Sequence, residues 1–119
     1  MTPTARSLEW CRKHNIDAGI VERWNPHARI RQDLFGFVDL VALERGRSGV
    51  LAIQATTTGH SAARVKKILA EPKARRWLEC GNSIEVWGWA KHKLKRGGKA
   101  VRWVMDRRPV TLADFGGDK

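Results

Sequence analysis

Two apolar runs separated by a short turn segment constrain the fold of this chain more than any other feature. FVDLVALE at 37–44 and VLAIQATT at 50–57 have the length and composition of strands, and RGRSG at 45–49 supplies turn residues between them. The pattern predicts a β-hairpin. Each strand nevertheless contains one interior polar side chain, Asp39 in the first and Gln54 in the second. A buried polar group costs free energy unless it is bonded or solvated, so both residues are candidates for a functional site.

The rest of the chain predicts one domain of mixed α/β class, in the order α-β-β-β-α-β-β, with a mixed central sheet flanked by helices. The predicted elements are a helix over 3–15, a strand over 16–24, a basic loop over 25–36, the hairpin, a helix over 61–70 that Pro72 breaks and that restarts over 72–80, and strands over 83–91 and 100–106. We expect a single domain over 1–119 with its core at about 4–105 and a flexible tail over 113–119.

The charge of the chain points to its partner. Lysine and arginine number 23 against 12 acidic residues, a net charge of +11. Such an excess on a small domain favours a polyanion, most often nucleic acid, over an anionic membrane. The plain alternative is a basic surface without a nucleic-acid partner. The chain has only two cysteines, no long apolar run and no signal-like N-terminus, so we expect a cytoplasmic protein.

Asp39 and Gln54 are expected to converge, because the hairpin places them on adjacent strands at the same end. Thr56 shares the strand face of Gln54. The Asp39 carboxylate, the Gln54 amide oxygen and the backbone carbonyl of Ala55 are hard oxygen ligands of the kind that Mg²⁺ prefers. The structural alternative is an Asp39 at the strand end that caps a neighbouring loop or pairs with Arg29 or Arg31. Gln54 would then only bond Asp39 across the strands or a backbone group.

This arrangement resembles the PD-(D/E)xK nucleases, most closely the archaeal-type Holliday junction resolvases and related phage nucleases. FVDLVAL carries Asp39 at the position of the family aspartate, and LAIQATT carries Gln54-Ala55-Thr56 where the family has Glu-x-Lys. The resemblance covers residues 4–90 in element order and is specific over 36–57. It implies a restriction-endonuclease-like core, a bacterial or phage-encoded protein, and hydrolysis of DNA phosphodiesters with Mg²⁺ or Mn²⁺.

The sequence departs from the family motif at two positions. Gln54 has no negative charge, and Thr56 replaces the lysine. Glu22 on the first strand or Asp33 in the basic loop is predicted to supply the second carboxylate, with Asp33 also a metal-ligand candidate. Lys66, on the helix after the motif strand, is the candidate for a migrated catalytic lysine. Its alternative is a solvated helix face.

Three basic runs surround the proposed site, and we predict that they contact DNA phosphates without reading sequence. Their candidate DNA-binding residues are His27, Arg29, Arg31, Arg64, Lys66, Lys67, Lys93, Lys95 and Arg96. Two tryptophans on one face of the strand over 83–91, Trp87 and Trp89, are interpreted as a second small core or a dimer interface rather than as base-stacking platforms. The family resemblance implies a homodimer on branched or duplex DNA, and exposed tryptophans on this strand would serve that contact. No membrane and no small-molecule cofactor are expected.

These features give two main hypotheses. The first is a metal-dependent DNA endonuclease, with Asp39, Gln54, Glu22 and Lys66 as its catalytic residues. The second is a protein of the same fold that binds DNA electrostatically through a lapsed site. A basic partner of an acidic protein is the third.

Overall fold

The computed structural model describes residues 1–116 as one sheet with helices on both faces and a small separate hairpin. Its helices and strands, in chain order, are α1 Pro3–Lys13, β1 Asp17–Ile20, β2 Arg23–Asn25, β3 Ile30–Gln32, β4 Leu40–Leu43, β5 Leu51–Thr57, α2 Ser61–Leu69, α3 Pro72–Glu79, β6 Ser83–Lys93 and β7 Val101–Val110. Short 3₁₀ turns lie at Thr58–His60 and Leu112–Phe115.

The main sheet has the strand order β1-β4-β5-β6-β7 and is mixed. β4 and β5 form the predicted antiparallel hairpin, with Leu40 opposite Ile53. β5 and β6 are parallel, and the chain crosses between them through α2 and α3. The other pairs, β1 with β4 and β6 with β7, are antiparallel. The mixed sheet flanked by helices is therefore as predicted. The expected single strand over 16–24 is wrong, because it is divided into β1 and β2, which belong to different sheets, with Glu22 between them.

Local sequence explains where the helices begin and end. The Thr2 side chain accepts a hydrogen bond from the Ala5 N–H at 3.1 Å and caps α1, which opens on Pro3. α3 repeats this pattern, because it opens on Pro72 and the Glu71 carboxylate accepts from the Lys73 N–H at 3.1 Å. The predicted break of the second helix at Pro72 is confirmed.

The hydrophobic core is divided by the sheet. One cluster packs under α2 and α3 and includes Val65, Ile68 and Val86. The other packs under α1 and includes Cys11, Ile53 and Trp87. Alternate residues of β5 and β6 therefore enter opposite clusters, and the two strands are buried on both faces as far as Thr56 and Trp89.

Two expectations from the sequence are wrong: that residues 25–36 form only a loop, and that the tryptophans on the strand over 83–91 are exposed. The basic loop over 25–36 contains β3, which pairs with β2 in a two-stranded hairpin. Trp87 and Trp89 are 0% and 5% exposed, because α1 covers that face of β6. The interpretation of Trp87 as part of a second core is confirmed, and these rings offer no surface for a dimer.

The C-terminal segment also differs from the expected tail. Leu112–Phe115 forms a 3₁₀ turn whose capping box joins Thr111 and Asp114, and Phe115 packs against the core. Residues 117–119 of the predicted tail lie outside the described residues. Among residues 1–116, no helix is long and apolar enough to cross a membrane.

Candidate metal centre and its cleft

Asp39 and Gln54 meet where the β4–β5 hairpin opens. Asp39 directly precedes β4, and its N–H donates to the Ile53 carbonyl at 3.0 Å, which fixes its position beside β5. Its Oδ2 accepts hydrogen bonds from Gln54 Nε2 at 2.7 Å and from the Ala55 N–H at 2.8 Å. Asp39 and Gln54 are 4% and 2% exposed. The predicted convergence of these two side chains is confirmed.

Two further carboxylates reach the same point from segments that flank the β2–β3 hairpin. Glu22 precedes β2, and its N–H lies 3.3 Å from the Asp39 carbonyl oxygen. Asp33 follows β3, and its Oδ2 lies 3.4 Å from Gln54 Nε2. One carboxylate oxygen from each of Glu22, Asp33 and Asp39 lies within 4.8 Å of the others. We call these three residues the acidic triad. The sequence offered Glu22 and Asp33 as alternatives, and the fold brings both to the site.

The acidic triad holds its charge unevenly. Burial, a hydrogen bond with Asp33 and the Asp33 charge raise the pKa of Asp39 to about 8, against the lowering effect of the Ala55 and Gln54 hydrogen bonds. Burial also acts to raise the pKa of Asp33, but hydrogen bonds from Asp39 and Gln54 and the Lys67 charge hold it below its ordinary value. At neutral pH the two carboxyl groups therefore share one proton.

Gln54 leaves one polar atom without a partner. Its Nε2 donates to the triad, but its Oε1 is buried with no hydrogen-bond partner among the described residues. An unmet buried acceptor costs about 1–3 kcal/mol. A half-turn of the amide would exchange Nε2 and Oε1 and present an oxygen to the carboxylates. In its present orientation the amide suits carboxylates without a cation, and after the half-turn it would suit carboxylates that hold one.

The lysine that reaches the triad is Lys67, not Lys66. Lys67 Nζ lies 3.4 Å from Asp33 Oδ2. Lys66 is exposed and lies one residue earlier on α2, about 100° away around the helix axis. Among the described residues, the structure brings the ammonium group of Lys67 to the triad and not that of Lys66, which the sequence interpretation had chosen as the migrated-lysine candidate.

The motif residues after Gln54 have different surroundings. Ala55 contacts Asp39 through its N–H. Because the N–H and C=O of one strand residue point to the same side, its carbonyl is also directed towards the β4 side of β5. Thr56 is 4% exposed and lies opposite Gly88 on β6, inside the sheet. The structure thus places no cationic side chain at the third position of this motif.

A basic cleft opens beside the triad. It has a volume of about 800 Å³ and is bounded by the Asp33–Gly36 turn, the β2–β3 hairpin and α2. Five cations line it, against the two acids Asp33 and Glu71: Arg23, Arg31, Arg64, Lys67 and Lys73. Arg31, Arg64 and Lys67 were predicted to bind DNA, and all three line this cleft. His27 and Arg29 lie in the exposed turn that joins β2 to β3, outside this lining.

The third basic run forms the tip of the β6–β7 hairpin. β5 ends at Thr57, opposite Trp89, whereas β6 continues to Lys93 opposite Val101. Four residues of β6 therefore project roughly 13 Å past the end of β5. Since β5 runs from Gln54 towards this end, the exposed Lys93, Lys95 and Arg96 lie beyond the triad end of the sheet.

A second buried ionic group was missed from the sequence. Glu85 on β6 is 4% exposed and accepts hydrogen bonds from Arg107 Nε at 2.7 Å and Arg47 Nη2 at 2.8 Å. The same two arginines bond Glu44, which follows β4. We call Glu44, Arg47, Glu85 and Arg107 the arginine–glutamate cluster. The rule that singled out Asp39, a charge within an apolar strand, applies equally to Glu85.

Comparisons with known proteins add no further assignment, since no family model, curated protein or solved structure matches this chain.

Proposed function

We propose that this protein is a metal-dependent DNA endonuclease with a restriction-endonuclease-like core, of the PD-(D/E)xK type. The observation that carries the proposal is the convergence of Glu22, Asp33 and Asp39 from three separate segments at one edge of a cation-lined cleft. The Gln54 amide lies at the same point with its Nε2 towards the carboxylates, and a half-turn of the amide would present its oxygen there. Structural carboxylates in a fold usually have cationic partners, whereas this triad has one ammonium group.

The residues present fit Mg²⁺ or Mn²⁺. The three carboxylates are hard oxygen donors, which these ions prefer. Gln54 Oε1 after an amide half-turn and the carbonyl of Ala55 are neutral oxygens beside Asp39. A cation would also compensate the repulsion between Asp33 and Asp39, which now requires a shared proton. The second acidic ligand that the motif lacks at Gln54 is thus replaced by Glu22 and Asp33.

The chain's own groups account for the other requirements of phosphodiester hydrolysis. A bound ion would supply an activated water and stabilise the charge that develops on the phosphate. Lys67, held against Asp33, provides a cation beside the reacting phosphate. Arg31 and Arg64 hold the flanking phosphates along the cleft. Asp39 gives up its proton when the ion is bound.

The basic surface supports DNA as the substrate. The cleft cations and the projecting tip of the β6–β7 hairpin lie at the same end of the sheet, and phosphate contacts from both would span a large substrate. Branched DNA is the form we propose, as in the resolvases that the motif resembles. A homodimer remains part of this proposal, without the tryptophan contact.

A second candidate function is DNA binding by a lapsed nuclease site. One observation favours it: the Gln54 amide already joins Asp39 and Asp33 through hydrogen bonds and so relieves part of their repulsion without an ion. This candidate predicts DNA affinity that falls steeply with salt and does not change when EDTA is added.

Plasmid nicking and four-way-junction cleavage with Mg²⁺ or Mn²⁺ test the proposal. The wild type is expected to cleave and Asp39→Ala to lose at least about a hundredfold in rate, since its carboxylate contacts the reacting centre. Asp17→Ala is the matched control, because Asp17 is exposed on the edge strand β1. Equal rates for wild type and Asp39→Ala would refute the nuclease assignment. DNA binding that is indifferent to EDTA, with no cleavage, would establish the second candidate.

A further inference from the structure

One aromatic residue at the cleft adopts an unfavourable backbone conformation. Phe35 has φ 55°, in the left-handed region that bulky residues avoid, and Gly36 follows with φ 82°. The turn is fixed by hydrogen bonds from the Gly36 N–H to the Asp33 carbonyl at 3.1 Å and from the Phe37 N–H to the Leu34 carbonyl at 3.2 Å. Strain of this kind persists only where the surrounding structure imposes it, and it concentrates at functional sites.

The Phe35 ring contributes little burial to the fold that would offset this strain. Phe35 is 45% exposed, whereas Phe37, two residues later, is 0% exposed and belongs to the core. Both rings make edge contacts with Trp77, at centroid distances of 6.4 Å for Phe35 and 6.2 Å for Phe37. The core therefore has its own phenylalanine against Trp77, and burial does not explain why Phe35 is aromatic.

The position of Phe35 relates its ring to the cleft. It lines the same cavity as Arg31, Arg64 and Lys67, and it lies two residues after Asp33 of the acidic triad. Lys73 Nζ lies 5.6 Å from the ring centroid, so a cation adjoins the aromatic surface. An exposed ring among phosphate-binding cations is the combination that single-stranded DNA requires, with stacking for a base and charges for its backbone.

We propose that Phe35 is a stacking platform for one unpaired base of a DNA strand whose phosphates follow the cleft cations. The inference rests on the proposed function in one respect, that this cleft takes DNA. It adds a substrate class: the strand must present an unstacked base next to the phosphate at the triad, as single strands and branch points do and a continuous duplex does not.

The test measures binding without metal, so that it does not depend on cleavage. The probe is a DNA single strand of about 12 nucleotides, within the span of one such binding site, that carries one 2-aminopurine. The same strand annealed to its complement is the duplex probe. Fluorescence titration in EDTA gives both the affinity and the quenching that stacking causes. The variants are Phe35→Ala, Phe35→Tyr, Phe35→Gly and Arg31→Ala, and Leu43→Ala is the matched control, since Leu43 is an exposed apolar residue on β4.

Wild type, Phe35→Tyr and Leu43→Ala are expected to bind the single strand more tightly than the duplex and to quench it. Phe35→Ala should lose about tenfold in single-strand affinity and most of the quenching, while duplex affinity changes little. Arg31→Ala should weaken binding to both probes. Phe35→Gly should lose single-strand affinity in the same way, yet its Tm should equal or exceed that of the wild type, because glycine adopts φ 55° without strain.

Two results would overturn the inference, and they differ from failure of the proposed function. If the wild type binds and Arg31→Ala weakens it, but Phe35→Ala retains affinity and quenching, the ring does not stack on a base. If Phe35→Gly has a clearly lower Tm than the wild type, the ring serves the fold. If the wild type binds neither probe, the proposed DNA function fails together with the inference.

Discussion

β4 is flanked by a carboxylate at each end, and the two carboxylates have different partners in the fold. Glu44, after Leu43, accepts hydrogen bonds from both terminal guanidinium nitrogens of Arg107, Nη2 at 3.0 Å and Nη1 at 3.1 Å. Its neighbour Glu85 is bonded by Arg107, Arg47 and the Trp87 indole N–H at 2.8 Å. The arginine–glutamate cluster thus contains as many cations as anions, and the pKa of Glu44 is held below its usual value by the Arg107 hydrogen bonds.

At the other end, Asp39 precedes Leu40 and has no arginine bonded to it among the described residues. The acidic triad has one ammonium group, from Lys67, at 3.4 Å. It keeps its charge low by retaining a proton, with the pKa of Asp39 raised to about 8 by burial and by Asp33. A balanced cluster needs no ligand, whereas an unbalanced one has affinity for a cation. An acidic residue within an apolar strand therefore indicates a functional site only once its bonding partners in the fold are known.

The largest difference between the two ends is expected in folding stability without metal. Glu85→Gln should lower the free energy of unfolding by about 3 kcal/mol, because it removes a buried carboxylate charge that two partly exposed guanidinium groups compensate. Asp39→Asn should leave stability unchanged or raise it. The amide oxygen can accept from Ala55 and Gln54, and the amide N–H can replace the proton now shared with Asp33. Urea denaturation in EDTA measures both.

The matched control is Glu79→Gln, whose exposed pair with Arg75 spans 3.3 Å. Its effect should stay below about 0.5 kcal/mol. A loss of stability in Asp39→Asn as large as that in Glu85→Gln would remove the contrast, and with it the argument that the triad is short of positive charge.

Strong local patterns explain what the sequence could predict. The hairpin of β4 and β5 was recoverable because two apolar runs flank Gly46 and Gly49, both of which have positive φ in the structure. The convergence of Asp39 and Gln54 followed from that pairing alone. β3 was not recoverable, because its three residues are all exposed and show no alternation of apolar and polar side chains.

The remaining differences depend on tertiary structure. The rotation of α2 decides whether Lys66 or Lys67 reaches Asp33, and adjacent positions with identical side chains give no sequence signal. The burial of Trp89 depends on α1, whose Ser7 hydroxyl accepts from the indole N–H at 2.9 Å across 82 residues of sequence. The backbone strain of Phe35 likewise comes from the turn around it and cannot be inferred from the residue itself.

Adding a charge to the triad distinguishes the two candidate functions. The expected change in Mg²⁺ affinity is intermediate in size between the other predicted effects. Gln54→Glu should raise Mg²⁺ affinity by about tenfold through Coulomb attraction at a partly buried site. Without metal the same variant should be less stable, since a fourth carboxylate joins three. Isothermal titration calorimetry measures the affinity, and thermal melts with EDTA or Mg²⁺ measure the rescue by metal.

Gln32→Glu is the control for that experiment, because Gln32 is exposed on β3 and lines the cleft without belonging to the triad. It adds the same charge and should change Mg²⁺ affinity much less. If Gln54→Glu is destabilised and Mg²⁺ neither binds nor restores it, Gln54 is a structural amide, and the lapsed DNA-binding site becomes the better account.

Per pH unit, the change of stability with pH is the smallest effect expected, and the two ends of β4 should give it opposite signs. The folded protein holds the Asp39 proton more tightly than the unfolded chain, with a pKa of about 8 against 3.8. The stabilising contribution of Asp39 is therefore complete below pH 3.8 and is lost as pH rises towards 8. Glu44 has a lowered pKa, so its contribution is present above its ordinary value of 4.5 and is lost as pH falls.

Urea denaturation of wild type, Asp39→Asn and Glu44→Gln at a series of pH values in EDTA measures the two slopes. Asp39→Asn should remove the decline between pH 4 and 8, which one group can contribute at up to about 1.4 kcal/mol per pH unit. Glu44→Gln should remove part of the loss of stability at acidic pH and leave unchanged the loss of stability between pH 4 and 8. If Mg²⁺ binds as proposed, it would displace the Asp39 proton, so its affinity should rise with pH up to about 8 and then level off. Parallel curves for wild type and Asp39→Asn would mean that Asp39 is already ionised at neutral pH. The triad would then have its charge compensated within the fold, as the arginine–glutamate cluster does, and the electrostatic reason to expect a metal there would be lost.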